Sequence, residues 1–94
     1  MKLIVKGKVW IYPGLGGWHF VNVDKTISER LRYPDGVRVR KGLLPVVARV
    51  GKTEWRTSLF PTKEGSYILS IKSSVRVAEG IMAGDTVSVR CTLI

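Results

Sequence analysis

The strongest constraint in this sequence is an order of signals that occurs twice. Displacing the chain against itself by 48 positions, without a gap, sets Ile11-Tyr12-Pro13 on Leu59-Phe60-Pro61, Gly17 on Gly65, Val21 and Val23 on Leu69 and Ile71, Ile27 on Val75, Gly36 on Gly84, and Val39 on Val87. Few of these matches are identities, so the order itself carries the inference: strand, proline turn, strand, helix, glycine turn, strand. Two pseudo-repeats are expected, residues 2–49 and 50–94, each a β-β-α-β unit. One such unit would leave open strand edges and a bare apolar face, whereas two can pair edge to edge. The expected fold class is therefore mainly β with two short helices, a closed or split β-barrel from two tandem units with the helices capping its ends. In the same register Trp55 falls on Gly7, so a large residue of one half is expected to fill space left by a small one in the other.

Residue patterns place the individual elements. Lys2 to Tyr12 alternates, with Leu3, Val5, Val9 and Ile11 on one face and Lys6, Lys8 and Trp10 on the other, as a strand does. Pro13-Gly14-Leu15-Gly16-Gly17 turns the chain into a second, antiparallel strand from Trp18 to Val23. Asp24 to Tyr33 has helical spacing through Ile27 and Leu31, a capping box in Thr26 and Glu29, and Arg30 and Arg32 at the negative end of the helix dipole. Pro34-Asp35-Gly36 ends that helix. Val37 to Lys41 is strand-like, and Leu44 to Val50 resumes before Gly51-Lys52 turns the chain into Thr53 to Phe60. Pro45 predicts that this pairing begins at a sheet edge. Ser66 to Ile71, Ser73 to Glu79 with Gly80 at its end, and Thr86 to Leu93 then repeat the grammar.

A chain of 94 residues buries about 60 to 65 per cent of its unfolded surface, enough for one core and not for two. Residues 1–94 are expected to form a single domain. No run approaches the about 18 consecutive apolar residues of a membrane span, and Lys2, Lys6 and Lys8 interrupt any signal-peptide core. The cytoplasm is the expected compartment. Cys91, the only cysteine, excludes an internal disulfide and a cysteine-clustered zinc site, and its alternating segment marks it as a small buried apolar residue. Sixteen Lys and Arg against seven Asp and Glu give a net charge of +9, a field that favours polyanions, whether nucleic acid or an anionic membrane surface. A solvated basic shell that aids solubility accounts for the same number.

Trp18-His19-Phe20-Val21, Arg56-Thr57-Ser58-Leu59-Phe60-Pro61, Gly65, Val75-Arg76 and Gly80-Ile81-Met82-Ala83-Gly84-Asp85-Thr86-Val87 together resemble a family known as domain of unknown function 1905. The match runs over nearly the whole chain. It departs at Asn22-Val23-Asp24, where the family often has a proline before its helix, which affects where that helix starts. The resemblance implies a double-split β-barrel, a fold shared with swapped-hairpin transcription factors and antitoxins in which two chains build the barrel. An internal repeat would let one chain do so, leaving a pseudo-two-fold surface and making a monomer sufficient. No activity and no cofactor are implied.

Groups able to do chemistry are sparse. Asp24 and Glu29 open a helix, Asp35 and Asp85 adjoin glycine turns, and Glu54, Glu64 and Glu79 are expected as exposed solubilising charges. His19 is the only histidine, and no second histidine or cysteine accompanies it as a metal ligand. Gly14-Leu15-Gly16-Gly17 precedes a strand, whereas phosphate-cradling loops open a helix. No enzyme is expected. The basic residues are more informative: Arg38, Arg40, Lys41, Arg49, Lys52 and Arg56 face only Glu54 between Val37 and Phe60. Guanidinium groups spaced along a strand bond phosphate oxygens bidentately, and exposed Trp10 or Tyr12 near Lys6 and Lys8 would add a stacking surface. A charged outer face that guards sheet edges is the other reading. The leading expectation is a non-enzymatic barrel binding nucleic acid or another polyanion; the alternative is a structural, protein-interaction or small-anion-binding module, with Trp18, His19, Tyr67 and Arg76 as candidate pocket residues.

Overall fold

A computed structural model describes residues 2–14, 16–32 and 42–94. The expected turn at Pro34-Asp35-Gly36 and strand from Val37 to Lys41 lie outside the described residues. Elsewhere the order is β1 (Lys2–Lys8), β2 (Trp10–Ile11), β3 (His19–Asn22), α1 (Lys25–Arg32), β4 (Leu44–Val50), β5 (Thr53–Pro61), β6 (Tyr67–Ser70), α2 (Ser73–Glu79) and β7 (Thr86–Leu93). The protein is mainly β. Seven antiparallel strands form one sheet in the order β1-β7-β4-β5-β6-β3-β2, nearly closed into a barrel.

The two borders of that sheet are consecutive parts of one segment. The alternating stretch expected as a single strand changes partners at Val9: β1 pairs with β7 before it, and β2 pairs with β3 after it. Val9 itself donates its N–H to the Asp85 carbonyl and accepts from the Gly84 N–H, both at 2.8 Å, so the bend leaves no backbone group unpaired there. Ile11, expected to face inward, lies beyond the bend and is exposed.

The pairings of the first and second halves correspond. Val23 donates to Tyr67 at 2.8 Å and Ile71 donates to His19 at 2.9 Å, the second bond being the first with each residue displaced by 48 positions. The strand before them is offset differently. Trp10 pairs with Phe20 and Phe60 pairs with Ile68, so Trp10 answers to Phe60 and Val5 to Trp55. Gly7 therefore answers to Thr57, not to Trp55; a Cβ on Gly7 would lie 3.4 Å from Val21, which already occupies that space. Trp55 is accommodated instead by its own cross-strand partner. It pairs with Ala48, where Val5 of the other half pairs with Val89, so one large and one small residue replace two of middle size. By the same pairing Val89 answers to Ala48 and Val87 to Val46; Val39, which the gapless displacement sets on Val87, lies outside the described residues.

Inward positions supply the core: Val5, Val9, Val21, Val46, Trp55, Leu59, Leu69, Val89 and Cys91, with Leu31 of α1 and Val75 of α2 packed against them. α1 starts differently from expectation. The cap is Asp24, whose Oδ1 accepts the N–H groups of Thr26 at 2.8 Å and Ile27 at 3.4 Å, and not a box between Thr26 and Glu29. α2 ends at Gly80, whose φ of 64° is left-handed, as its glycine predicts. Pro45 does not mark a sheet edge, because β4 is interior, between β5 and β7. Its missing N–H is tolerated because the β4–β7 ladder starts at Val46, and the Pro45 carbonyl still accepts the Ile94 N–H at 3.1 Å. Glu79 is not a free solubilising charge either. Its Oε2 accepts the Thr53 hydroxyl at 2.6 Å, tying α2 to the β4–β5 hairpin.

Ser28, fully buried, accepts the Tyr67 N–H at 3.0 Å and donates to the Val23 carbonyl at 3.4 Å. Ser28→Ala would strand the Tyr67 N–H, and a loss of about 1 to 3 kcal/mol is expected. Asp24→Ala, at an exposed cap, is expected to cost about 1 kcal/mol. Chemical denaturation measures both, and a smaller loss for Ser28→Ala would contradict this assignment. Burial pushes the Cys91 thiol from 9.0 up to about 11. A raised folded-state pKa contributes stability below the unfolded value that is lost as pH rises through the folded one. The stability advantage of the native protein over Cys91→Ala is therefore expected to shrink between pH 9 and about 11.

Candidate nucleic-acid interface

Alternation along the strands sends a defined set of side chains outward from β1, β7, β4 and β5. The cross-strand registers arrange them in rows: Ile4, Arg90, Arg49 and Glu54 form one, and Lys2, Thr92, Val47 and Arg56 the next. Lys6 opposite Ser88 and Lys8 opposite Thr86 continue the face along β1. Six cations, Lys2, Lys6, Lys8, Arg49, Arg56 and Arg90, thus share a four-strand surface with one carboxylate, Glu54, and with the hydroxyls of Thr86, Ser88 and Thr92.

At the centre of this face Arg49 and Arg90 are paired directly across β4 and β7. They are also counterparts, since Ala48 answers to Val89. Opposed residues in such a pair hold their Cβ atoms about 4.5 to 5.5 Å apart, where like charges destabilise a sheet. Arg49 makes a long bond, 3.5 Å, from Nε to the Gly51 carbonyl. Arg90 makes no ion pair among the described residues, and Glu54, directly across β4 and β5 from Arg49, is the one carboxylate in the row of the two guanidinium groups. A cavity of about 710 Å³ opens over them, with Lys2, Arg30 and Glu54 also at its walls and Leu3, Ile4, Ile27 and Val47 as its apolar lining. Arg30 and Arg90 belong to this set although sequence reasoning did not select them. The alternation of β7 sends Arg90 outward; what it could not supply was the strand beside which Arg90 lies.

Of the residues expected to bind nucleic acid, Arg49 and Arg56 lie on this face, and exposed Lys52 sits in the hairpin turn between β4 and β5. Arg38, Arg40 and Lys41 lie outside the described residues. The four pocket candidates are distributed otherwise. Tyr67 is buried in the core. His19 Nδ1 lies 2.6 Å from the Gly17 carbonyl, to which it must donate, leaving Nε2 to accept from Arg76 Nη1 at 3.3 Å. Arg76 Nε donates to the Ile71 carbonyl at 3.1 Å. Arg76 thereby does in the second half what Ser28 does in the first, joining a helix to the end of the preceding strand. Trp18 stands exposed against Phe20, their rings stacked with centroids 6.0 Å apart.

Among the described residues no three His, Cys, Asp or Glu side chains come together as a metal site. No helix among them is long and apolar enough to cross a membrane. A family model described as a domain of unknown function (DUF1905) matches residues 6–91. The chain belongs to the DUF1905 family. No curated sequence matches it. In this DUF1905 domain the match runs from Lys6 on β1 to Cys91 on β7, so five of the six outward cations fall within it and Lys2 precedes it.

Replacing one of the opposed arginines separates fold from site. Arg90→Glu turns a like-charge pair into an attractive one and is expected to raise stability by about 0.2 to 1 kcal/mol. The gain should disappear as ionic strength approaches about 1 M. Denaturation midpoints at low and high salt measure it, and an unchanged or lowered low-salt midpoint would contradict the repulsion.

Proposed function

We propose that this DUF1905 domain is a non-enzymatic, cytoplasmic nucleic-acid-binding barrel that takes phosphates on the outer face of β1, β7, β4 and β5. The observation that carries this reading is the direct opposition of Arg49 and Arg90 on a face that also carries Lys2, Lys6, Lys8 and Arg56 against the single carboxylate of Glu54. Such an arrangement is unfavourable without an anion and favourable with one, because guanidinium groups bond phosphate oxygens bidentately. Hydroxyls on β7 add the neutral donors typical of backbone contacts. A single chain suffices for the face, in keeping with two copies of one β-β-α-β unit joined in tandem.

Affinity for a DNA duplex is expected to fall linearly in log-log form with salt, with a slope of about −0.9 per phosphate neutralised. Arg49→Ala and Arg90→Ala should each flatten that slope by about 1. Fluorescence anisotropy with a labelled duplex measures both effects, and absence of saturable binding at about 50 mM salt would defeat the proposal. The cavity above Arg49 and Arg90 favours a second reading, a small anionic ligand with an apolar part. Thermal stabilisation by such molecules, with none by oligonucleotides, would select it.

A further inference from the structure

The outward positions of the closing segment change character along its length. Lys2, Ile4, Lys6 and Lys8 on β1 give way to Trp10 on β2 and Tyr12 just beyond it. There the aromatic side chains gather into a cluster. Phe20 is buried beneath its neighbours, with the Trp10 ring 5.3 Å away, Tyr12 6.2 Å and Phe60 6.3 Å. Trp10 is held by its Nε1, which donates to Asn22 Oδ1 at 3.0 Å. On this base Trp18 lies parallel to Phe20, within 10°, and is 53% exposed, while Tyr12 is 51% exposed.

The glycine turn holds these two rings in place. A Cβ at Gly16 would come 3.1 Å from the Trp18 indole, and one at Gly14 would come 3.3 Å from the Tyr12 ring. The turn backbone therefore lies close against both, and a side chain at either glycine would crowd the ring beside it. No carboxylate is present on β1, β2 or β3, and Lys8 and Asn22 are the polar neighbours that these strands give the cluster.

We infer that the ligand of the basic face is taken as a single strand, with bases stacking on Trp18 and Tyr12 while Lys6 and Lys8 hold the adjoining phosphates. This rests on the nucleic-acid reading above and narrows it. Base faces are open to aromatic side chains in a single strand and closed within a duplex. Lys6 and Lys8 precede Trp10 and Tyr12 on the same segment, and Trp18 stands beside them on Phe20, so one extended chain reaches both the lysines and the rings.

The test is a titration of the whole protein with a 15-nucleotide oligothymidylate and with a 15-base-pair duplex at about 50 mM salt, followed by tryptophan emission and anisotropy. The single strand is expected to bind about tenfold more tightly and to quench emission, Trp18→Ala to weaken it by about tenfold, and Trp18→Phe to retain most of the affinity. Thermal denaturation of each variant confirms folding. Equal affinity for both probes, with Trp18→Ala inert, would overturn this inference and leave the basic-face reading standing. Binding to neither probe would remove both. Self-association abolished by Trp18→Ala, with oligonucleotide binding untouched, would assign the cluster to a second copy of this chain and likewise overturn it.

Discussion

Everything else in the barrel depends on one segment serving as both borders of the sheet. β1 and β2 lie at opposite ends of the strand order but are separated in sequence only by Val9, whose two backbone groups are taken by Gly84 and Asp85. That pair of bonds lets the chain leave β7 and join β3 without exposing an unpaired strand. Edges are where sheets recruit other chains, and ring formation within one chain is the most complete way to avoid that. It also fixes which side chains face outward, since any slip of one residue would exchange the lysines of β1 for Leu3, Val5 and Gly7.

Much of this was legible in the residues. Alternation identified the strands, glycine and proline marked the turns, and the doubled order of signals pointed to a barrel from a single chain. What a gapless displacement could not give was the true offset of each element. It is 48 for the second strand and the helix, as the exchanged bonds of Val23 and Ile71 require, but the strands either side are shifted against it. Pairing partners, not composition, reveal such shifts, so a gapless displacement sets Trp55 on Gly7; Pro45 suggests an edge only until its ladder to β7 is seen to start one residue later. Arg90 was missed for a related reason. A lone arginine in a strand is unremarkable until its neighbour across the sheet is known to be another.

The basic face and the fold make opposite demands. Two arginines placed opposite one another weaken the sheet by a fraction of the stability available to a domain of this size. Their position follows from the correspondence of the halves: a residue that answers to its own cross-strand partner is matched to a residue occupying the same place in the other half. Charge set at that place is doubled, which concentrates positive potential where the cavity opens.

The aromatic cluster does not obey that correspondence. Trp10 answers to Phe60, but Phe20 answers to Ile68, Trp18 to Ser66 and Tyr12 to Thr62, so only one half carries exposed rings. A barrel whose central arginines are paired with one another but whose aromatic cluster sits at one end is a directional object. A polymer bound across both features would lie with a fixed 5′-to-3′ sense, and its length on the two sides of the arginines would not be interchangeable.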